Sequence, residues 1–337
     1  MSADRNSQRI VLAGASSLLG SEVKSLLEES RFAGWDLRLV DEDEAAGILT
    51  EAGGEAALIQ KVEEGTFRGA RFAFLAGSRS FGEQCLGPAR EAGATVIDFS
   101  HAAMSDPDGV PWFRKIDGLS GKSVTKKSPV FGVLSAGGTA IASLALVLRR
   151  FGMQRLVAVV YEPVSEAGRA GVEELETQTS QLLSFQSVGN RLFGTQTAFN
   201  MLPRFGSESR VVLQEKLLEL RAEISTAVGD AEEDGKISVN LVHAPVFYGT
   251  TFSVCADFGS AADAIALAQA VKEAGFALVP AAEAGPSNVS VAGDTVLHLS
   301  EPRPDTAREN CWWFWGAGDN LRVPAASGIK LAEWLDS

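Results

Sequence analysis

Cysteine is scarce in this chain. Cys85, Cys255 and Cys311 are the three among 337 residues. An odd number at unrelated spacings argues against a disulfide framework and against a zinc site, so no metal is expected. Positive charge is also in deficit. Lys and Arg number 30 against 43 Asp and Glu, a net charge of −13. Repulsion from phosphate then opposes nucleic-acid binding, and the plain reading is a solubility charge. No apolar run is long and clean enough to span a bilayer, so no membrane partner is expected. Met1 to Arg9 is polar, and no signal peptide is read there. These absences together fit a soluble protein of a reducing cytoplasm.

What is present is apolar residue in quantity, 45% of the chain, enough for a full core. The length suits two domains of ordinary size.

The stretch Ser128–Leu144 organises the chain. Val130–Leu134 reads as a buried strand, Ser135–Gly138 as a turn of small residues, and Ala140–Leu148 as an apolar helix with Thr139 as its cap. Strand, tight turn and helix N-terminus point backbone N–H groups at one spot, a layout that suits an anion or an activated nucleophile.

Before it, strands and helices alternate. The strand Arg9–Ala13 runs into Gly14-Ala15-Ser16-Ser17-Leu18-Leu19-Gly20 and a helix from Ser21 to about Ser30. That is the first βα unit of a dinucleotide-binding fold, with Ser17 where the middle glycine is usual. A glycine loop of another α/β fold remains the alternative. The strand Leu37–Val40 ends in Asp41-Glu42-Asp43-Glu44. Asp41 has the spacing of a residue that reads ribose hydroxyls, and four carboxylates would repel the 2′-phosphate of NADP, which favours NAD. A solvated acidic loop is the other reading. Strands at Phe72–Ala76 and Thr95–Phe99 flank a helix over Gly82–Ala92, implying a parallel, doubly wound sheet. Gly77 follows the third strand at the end where ligands bind. Gly118–Lys127 reads as a polar loop.

After the organising helix the pattern becomes α+β. Strands are read at Leu156–Tyr161, Ser238–Val242, Gly249–Phe258, Ala277–Val279 and Thr295–Leu299, the last four as antiparallel. Helices are read over Gly168 to Phe185, Val211–Ser225 and Ser260–Ala274, with Ala198–Pro203 short and extended. Such a sheet has one face free to pair with a second copy. Trp312-Trp313-Phe314-Trp315 reads as a core strand or a ligand platform. A helix to Leu335 closes the chain. The expected domains are 1–135 with 319–337, and 136–318.

Six ordered landmarks resemble the aspartate-β-semialdehyde dehydrogenase family. Gly14 to Gly20 is similar to GATGxVG. Val96-Ile97-Asp98, Ser100 and Asp106-Pro107-Asp108 are similar to VIDNSSxxRxDPD. Tyr161 to Gly168 resembles TYQAVSGAG, and Ala198 to Pro203 resembles AFNxIP. Pro245 to Gly249 resembles part of RVPVxxGH, and Asp319 to Arg322 with Ala325-Ala326 resembles DNLRKGAA. The resemblance implies a Rossmann-like domain, an α+β dimerisation domain, a homodimer built on the latter, and a nicotinamide cofactor. It implies cofactor contacts from Gly14, Ser16, Ser17, Leu18, Gly20, Asp41, Gly77 and Asn320.

The family's implied reaction reduces aspartyl-4-phosphate to the semialdehyde through a cysteine thioester with histidine as acid/base. Carried over by position, the nucleophile falls on Gly137 and the acid/base on Thr250. The substrate Gln falls on Glu162, the Arg of RVPVxxGH on His243 and the phosphate Arg on Met104. His243 is mostly neutral at pH 7 but could hold a carboxylate. His101, in the loop after Ser100, is a candidate polar site residue or an exposed loop histidine. Glycine cannot attack a carbonyl, so the chain is similar to the noncatalytic paralogues of the family. Two roles stay open: binding of a nucleotide, a metabolite or an active paralogue, or catalysis with altered residues.

Overall fold

The computed structural model describes residues 8–120, 124–229 and 235–337. Most of the polar stretch from Met1 to Arg9, and residues 121–123 of the expected loop, lie outside the described residues. The chain divides into two compact units. One comprises Met1–Arg114, Lys122–Leu134 and Pro324–Ser337; the other comprises Lys115–Gly121 and Ser135–Val323.

The first unit is built on seven strands: β1 (Arg9–Ala13), β2 (Asp36–Asp41), β5 (Gln60–Lys61), β6 (Phe72–Leu75), β7 (Thr95–Asp98), β8 (Gly109–Trp112) and β9 (Val130–Val133). Their order is β5-β2-β1-β6-β7-β9-β8, and every pairing is parallel. Strands covered on both faces read as unbroken apolar runs, as Phe72-Ala73-Phe74-Leu75 does. Helices α1 (Leu18–Glu29) and α2 (Arg79–Glu91) each start three residues before the expected place. Ser17 and Ser78 cap them, accepting from the N–H groups of Gly20 and Phe81. The hairpin β3 (Leu49–Ala52) and β4 (Glu55–Leu58) was not expected. Its signal is Gly53-Gly54, both at positive φ as a tight hairpin turn requires. β8 carries Pro111 but lies at the sheet edge, where a missing N–H costs no ladder bond. Trp334 stacks on Trp112 at 5.6 Å, which anchors the C-terminal helix in this unit.

The second unit holds β10 (Met153–Glu162), β11 (Ile237–His243), β12 (Thr250–Phe258), β13 (Ala277–Val279), β14 (His298–Ser300), β15 (Arg303–Pro304) and β16 (Cys311–Gly318). The order is β11-β10-β12-β16-β14-β13, with β15 beside β16. β11 is parallel to β10, and β13 to β14, which corrects the antiparallel expectation. The reason is connection length: β10 reaches β11 through two helices, enough chain for a crossover. Among the described residues the further helices are α3 (Ile116–Ser120), α4 (Ala136–Leu148), α5 (Gly168–Leu183), α6 (Leu213–Val228), α7 (Ala264–Glu273) and α8 (Arg322–Leu335, of which Pro324 onward belongs to the first unit). α3 overlaps the first residues of the stretch expected to be loop, Gly118–Ser120. α7 starts later than expected because Asp263 caps it.

Along β12 burial alternates, and along β16 the tryptophans follow suit. Trp312 and Phe314 point into the core, while Trp313 and Trp315 are each 38% exposed on the open face. The tryptophan run is therefore half core. Ala198–Pro203 is not extended: Phe199 turns the chain at φ 59 before Leu202 bridges to His243. Among the described residues no helix is long and apolar enough to cross a membrane.

Candidate functional site

The site grows from the first turn of α4. Every residue of this helix is buried, as an apolar-all-round sequence demands. It packs on β10, β12, α6 and α7. Its cap is Ser135, not Thr139, and the expected turn Ala136–Gly138 is already helical. The Ser135 hydroxyl oxygen accepts from the Gly138 N–H at 3.0 Å.

The helix end does not wait for an outside anion. Glu223 of α6, fully buried, places its carboxylate there. Oε2 accepts the Ser135 hydroxyl at 2.7 Å and Oε1 accepts the Ser135 N–H at 3.1 Å. A Cβ on Gly138 would lie 1.9 Å from Glu223 Oε2, so glycine is required for the carboxylate to enter. The positive end of the helix and these two bonds offset the desolvation of the acidic group. The expectation of backbone donors open to a ligand is thus corrected. Glu223 went unread in the sequence. Its signal was an acid on the stripe formed by Leu220, Ile224 and Ala227.

Gly137 and Thr250, far apart in sequence, come together. A Cβ on Gly137 would lie 3.3 Å from Val160 Cγ1, 3.6 Å from Leu220 Cδ1 and 3.9 Å from Thr250 Cγ2. Thr250 is buried at the start of β12. The nearest groups to that spot are the methyls of Val160, Leu220 and Thr250.

Beyond Val160, Glu162 lies 3.3 Å from Lys216 Nζ. Burial pushes the Glu162 carboxyl up to about 7; Lys216 pulls it down, and Glu166 and Glu219 add to the rise. For Lys216 burial works downward, but the carboxylates of Glu162, Glu166 and Glu219 outweigh it and raise its pKa. Lys216 also donates to the Glu166 carbonyl at 2.8 Å. Asn320 donates to Glu166 Oε1 at 2.9 Å and to Ser165 Oγ at 3.0 Å, and accepts from the Gly249 N–H at 2.9 Å. Its amide is committed within the second unit.

His243 is 1% exposed, and its ring lies 5.3 Å from Phe205 and 6.0 Å from Phe193. Burial lowers its pKa to about 4, against a hydrogen bond to the Thr197 backbone that raises it. Burial disfavours its charged form, and its Nε2 is buried without a hydrogen-bond partner.

The first unit carries the remaining candidates. Gly14, at φ 83, touches the turn at Gly77: a Cβ on it would lie 2.2 Å from the Gly77 nitrogen. A Cβ on Gly20 would meet the Gly14 carbonyl at 2.1 Å. The two turns after β1 and β6 therefore close on each other. Ser17 ties them further, its hydroxyl donating to the Ala76 carbonyl at 2.7 Å. Asp41 is 6% exposed and accepts from the N–H groups of Ser16 at 2.6 Å and Glu42 at 2.8 Å. Leu18 and Leu19 open α1, where N–H groups lack partners within a helix. His101 follows β7 in the left-handed conformation, φ 67. Beside it Asp98, raised by burial, accepts from Ser100 N and Ala103 N at 2.9 and 2.7 Å. Met104 packs on β9, its Cε 2.8 Å from where a Gly132 Cβ would stand. Among the described residues no cluster of three or more metal-ligating side chains occurs.

A parallel Rossmann-like unit and a mixed-sheet unit make the architecture of a two-domain dehydrogenase. The family model "Semialdehyde dehydrogenase, dimerisation domain" matches residues 144–323, and the chain belongs to the semialdehyde dehydrogenase family. It is 27% identical to an aspartate-semialdehyde dehydrogenase of Rickettsia bellii over 97% of both chains. It is 29% identical to a USG-1 protein homolog of Azotobacter vinelandii, again over 97% of both. A solved structure of a probable aspartate-semialdehyde dehydrogenase from Pseudomonas aeruginosa superposes with a TM-score of 0.84 at 25% identity, covering 98% of each chain.

Proposed function

We propose that this chain is an aspartate-semialdehyde dehydrogenase-like protein that does not reduce aspartyl-4-phosphate and acts by binding. One observation carries the reading. Where the family's thiol and imidazole are expected, Gly137 and Thr250 face each other among methyl groups, and Glu223 fills the helix end beside them. Losing a covalent nucleophile costs orders of magnitude in rate, which remaining groups do not restore. Glu162, in place of a neutral Gln, also pairs with Lys216 and puts an acidic group where an anionic acyl phosphate would lie.

The first unit fits a dinucleotide. The α1 N-terminus at Leu18 and Leu19 suits a pyrophosphate, and the Asp41 carboxylate retains lone pairs for ribose hydroxyls. NAD fits the acidic run after β2 better than NADP. When bound, such a cofactor supplies hydride transfer; these residues hold and orient it. The second unit forms a homodimer, or a mixed dimer with an active paralogue.

One observation favours a second reading, an enzyme of altered chemistry: a carboxyl near pKa 7, Glu162, has the range of a proton shuttle. Purified protein incubated with aspartate semialdehyde, phosphate and NAD or NADP separates the two. No cofactor reduction is expected. Reduction that vanishes in Thr250→Ala, Glu162→Gln or His101→Ala would overturn the binding reading.

A further inference from the structure

Cys255 on β12 and Cys311 on β16 stand on adjacent antiparallel strands. Cys255 is paired with Trp313, and Cys311 with Asp257, so the two sulfurs are diagonal neighbours on the same face. Their Sγ atoms are 3.0 Å apart. A disulfide needs about 2.05 Å, a short further approach. Cys255 is half-buried and is the accessible sulfur, whereas Cys311 is buried. Burial, reinforced by Cys255 and Asp257, pushes the Cys311 thiol up to about 12. Cys85 is a third, isolated thiol in the core of the first unit, also pushed up to about 12, mainly by burial.

We propose that Cys255 and Cys311 are a redox modification site, closing to a reversible intrachain disulfide when the protein meets a peroxide. The Cys255 sulfur attacks one oxygen of hydrogen peroxide. The O–O bond breaks, Cys255 becomes a sulfenic acid, and the departing hydroxide takes up the thiol's proton as water. The Cys311 sulfur then attacks the Cys255 sulfur. The S–S bond forms, the S–O bond breaks, and the hydroxide leaves as water with the Cys311 proton. Two thiols are oxidised, one peroxide is reduced, and two waters form. The half-buried Cys255 meets the peroxide first, and the buried Cys311 beside it resolves the sulfenic acid. The bond would lock β12 to β16, the strand pair that holds Thr250 at one end through its pairing with Gly318. The inference is independent of the function proposed above.

The test is thiol counting on the full chain. Reduced protein, denatured and alkylated, should show three free thiols. After hydrogen peroxide it should show one, Cys85, with monomer mobility on a non-reducing gel and full recovery in dithiothreitol. Peptide mapping should join Cys255 to Cys311. Cys255→Ser and Cys311→Ser should each keep both remaining thiols free of any disulfide. If either variant fails to fold, the wild-type peptide map decides. Three persisting thiols, a Cys255 sulfinic acid without a cross-link, or a disulfide involving Cys85 or a second chain would overturn the inference.

Discussion

The Glu223 carboxylate is bound to both the hydroxyl and the backbone N–H of Ser135, at 2.7 and 3.1 Å. The first turn of α4 is therefore met by an acidic side chain from α6. Glu223→Gln keeps the shape and removes the charge. The expected loss is about 1.5–3 kcal/mol in urea unfolding, the range for hydrogen bonds to a charged group. Gly138→Ala forces a methyl into Oε2 and should cost at least as much. Either variant as stable as wild type would show that the carboxylate does not hold the helix end.

Glu162 makes stability depend on pH. Its carboxyl rises from 4.5 to about 7 on folding, so between those values the folded state binds the extra proton. Stability from this group is present at low pH and is lost as pH climbs to about 7. Glu162→Gln should flatten that part of the urea-midpoint profile. An unchanged slope would mean that Glu162 ionises normally.

His243 acts in the opposite direction. Its pKa falls from 6.5 to about 4 on folding, so the unfolded state takes up the proton first. Stability from this group is present above pH 6.5 and is lost toward about 4. By NMR, the His243 ring should remain neutral at a pH where an ordinary histidine is half protonated. His243→Leu, which suits the phenyl surroundings, should lessen the acid loss. A ring titrating near 6.5 would refute the buried neutral state.

Asp41 is expected to set cofactor preference. Calorimetry should find NAD binding tighter than NADP, and Asp41→Ala should narrow the gap. The same change leaves the Ser16 and Glu42 N–H groups without their acceptor, costing about 1–3 kcal/mol. NADP binding tighter than NAD in the wild type would refute this role.

Much of the fold was legible because the apolar periods are strong. Phe72–Leu75 and the other strands of the first sheet are continuous apolar runs separated by capped helices. Missed pieces had weak or competing signals: the charged hairpin at Leu49–Leu58 rests on two glycines, and β8 contains a proline. The helices begin before their apolar periods do, at the caps Ser17, Ser78 and Ser135, and a cap is visible only when its partner N–H is known.

The sequence by itself determined which chemical groups this protein lacks. Gly137 and Thr250 carry neither thiol nor imidazole in any fold. Tertiary structure alone decided what stands in their place. Glu223, Lys216 and the Cys255–Cys311 pair meet their partners across long sequence separations, where no local period or spacing applies. Packing of α6 on α4, and of β12 on β16, sets those distances, and with them a charge that is satisfied internally.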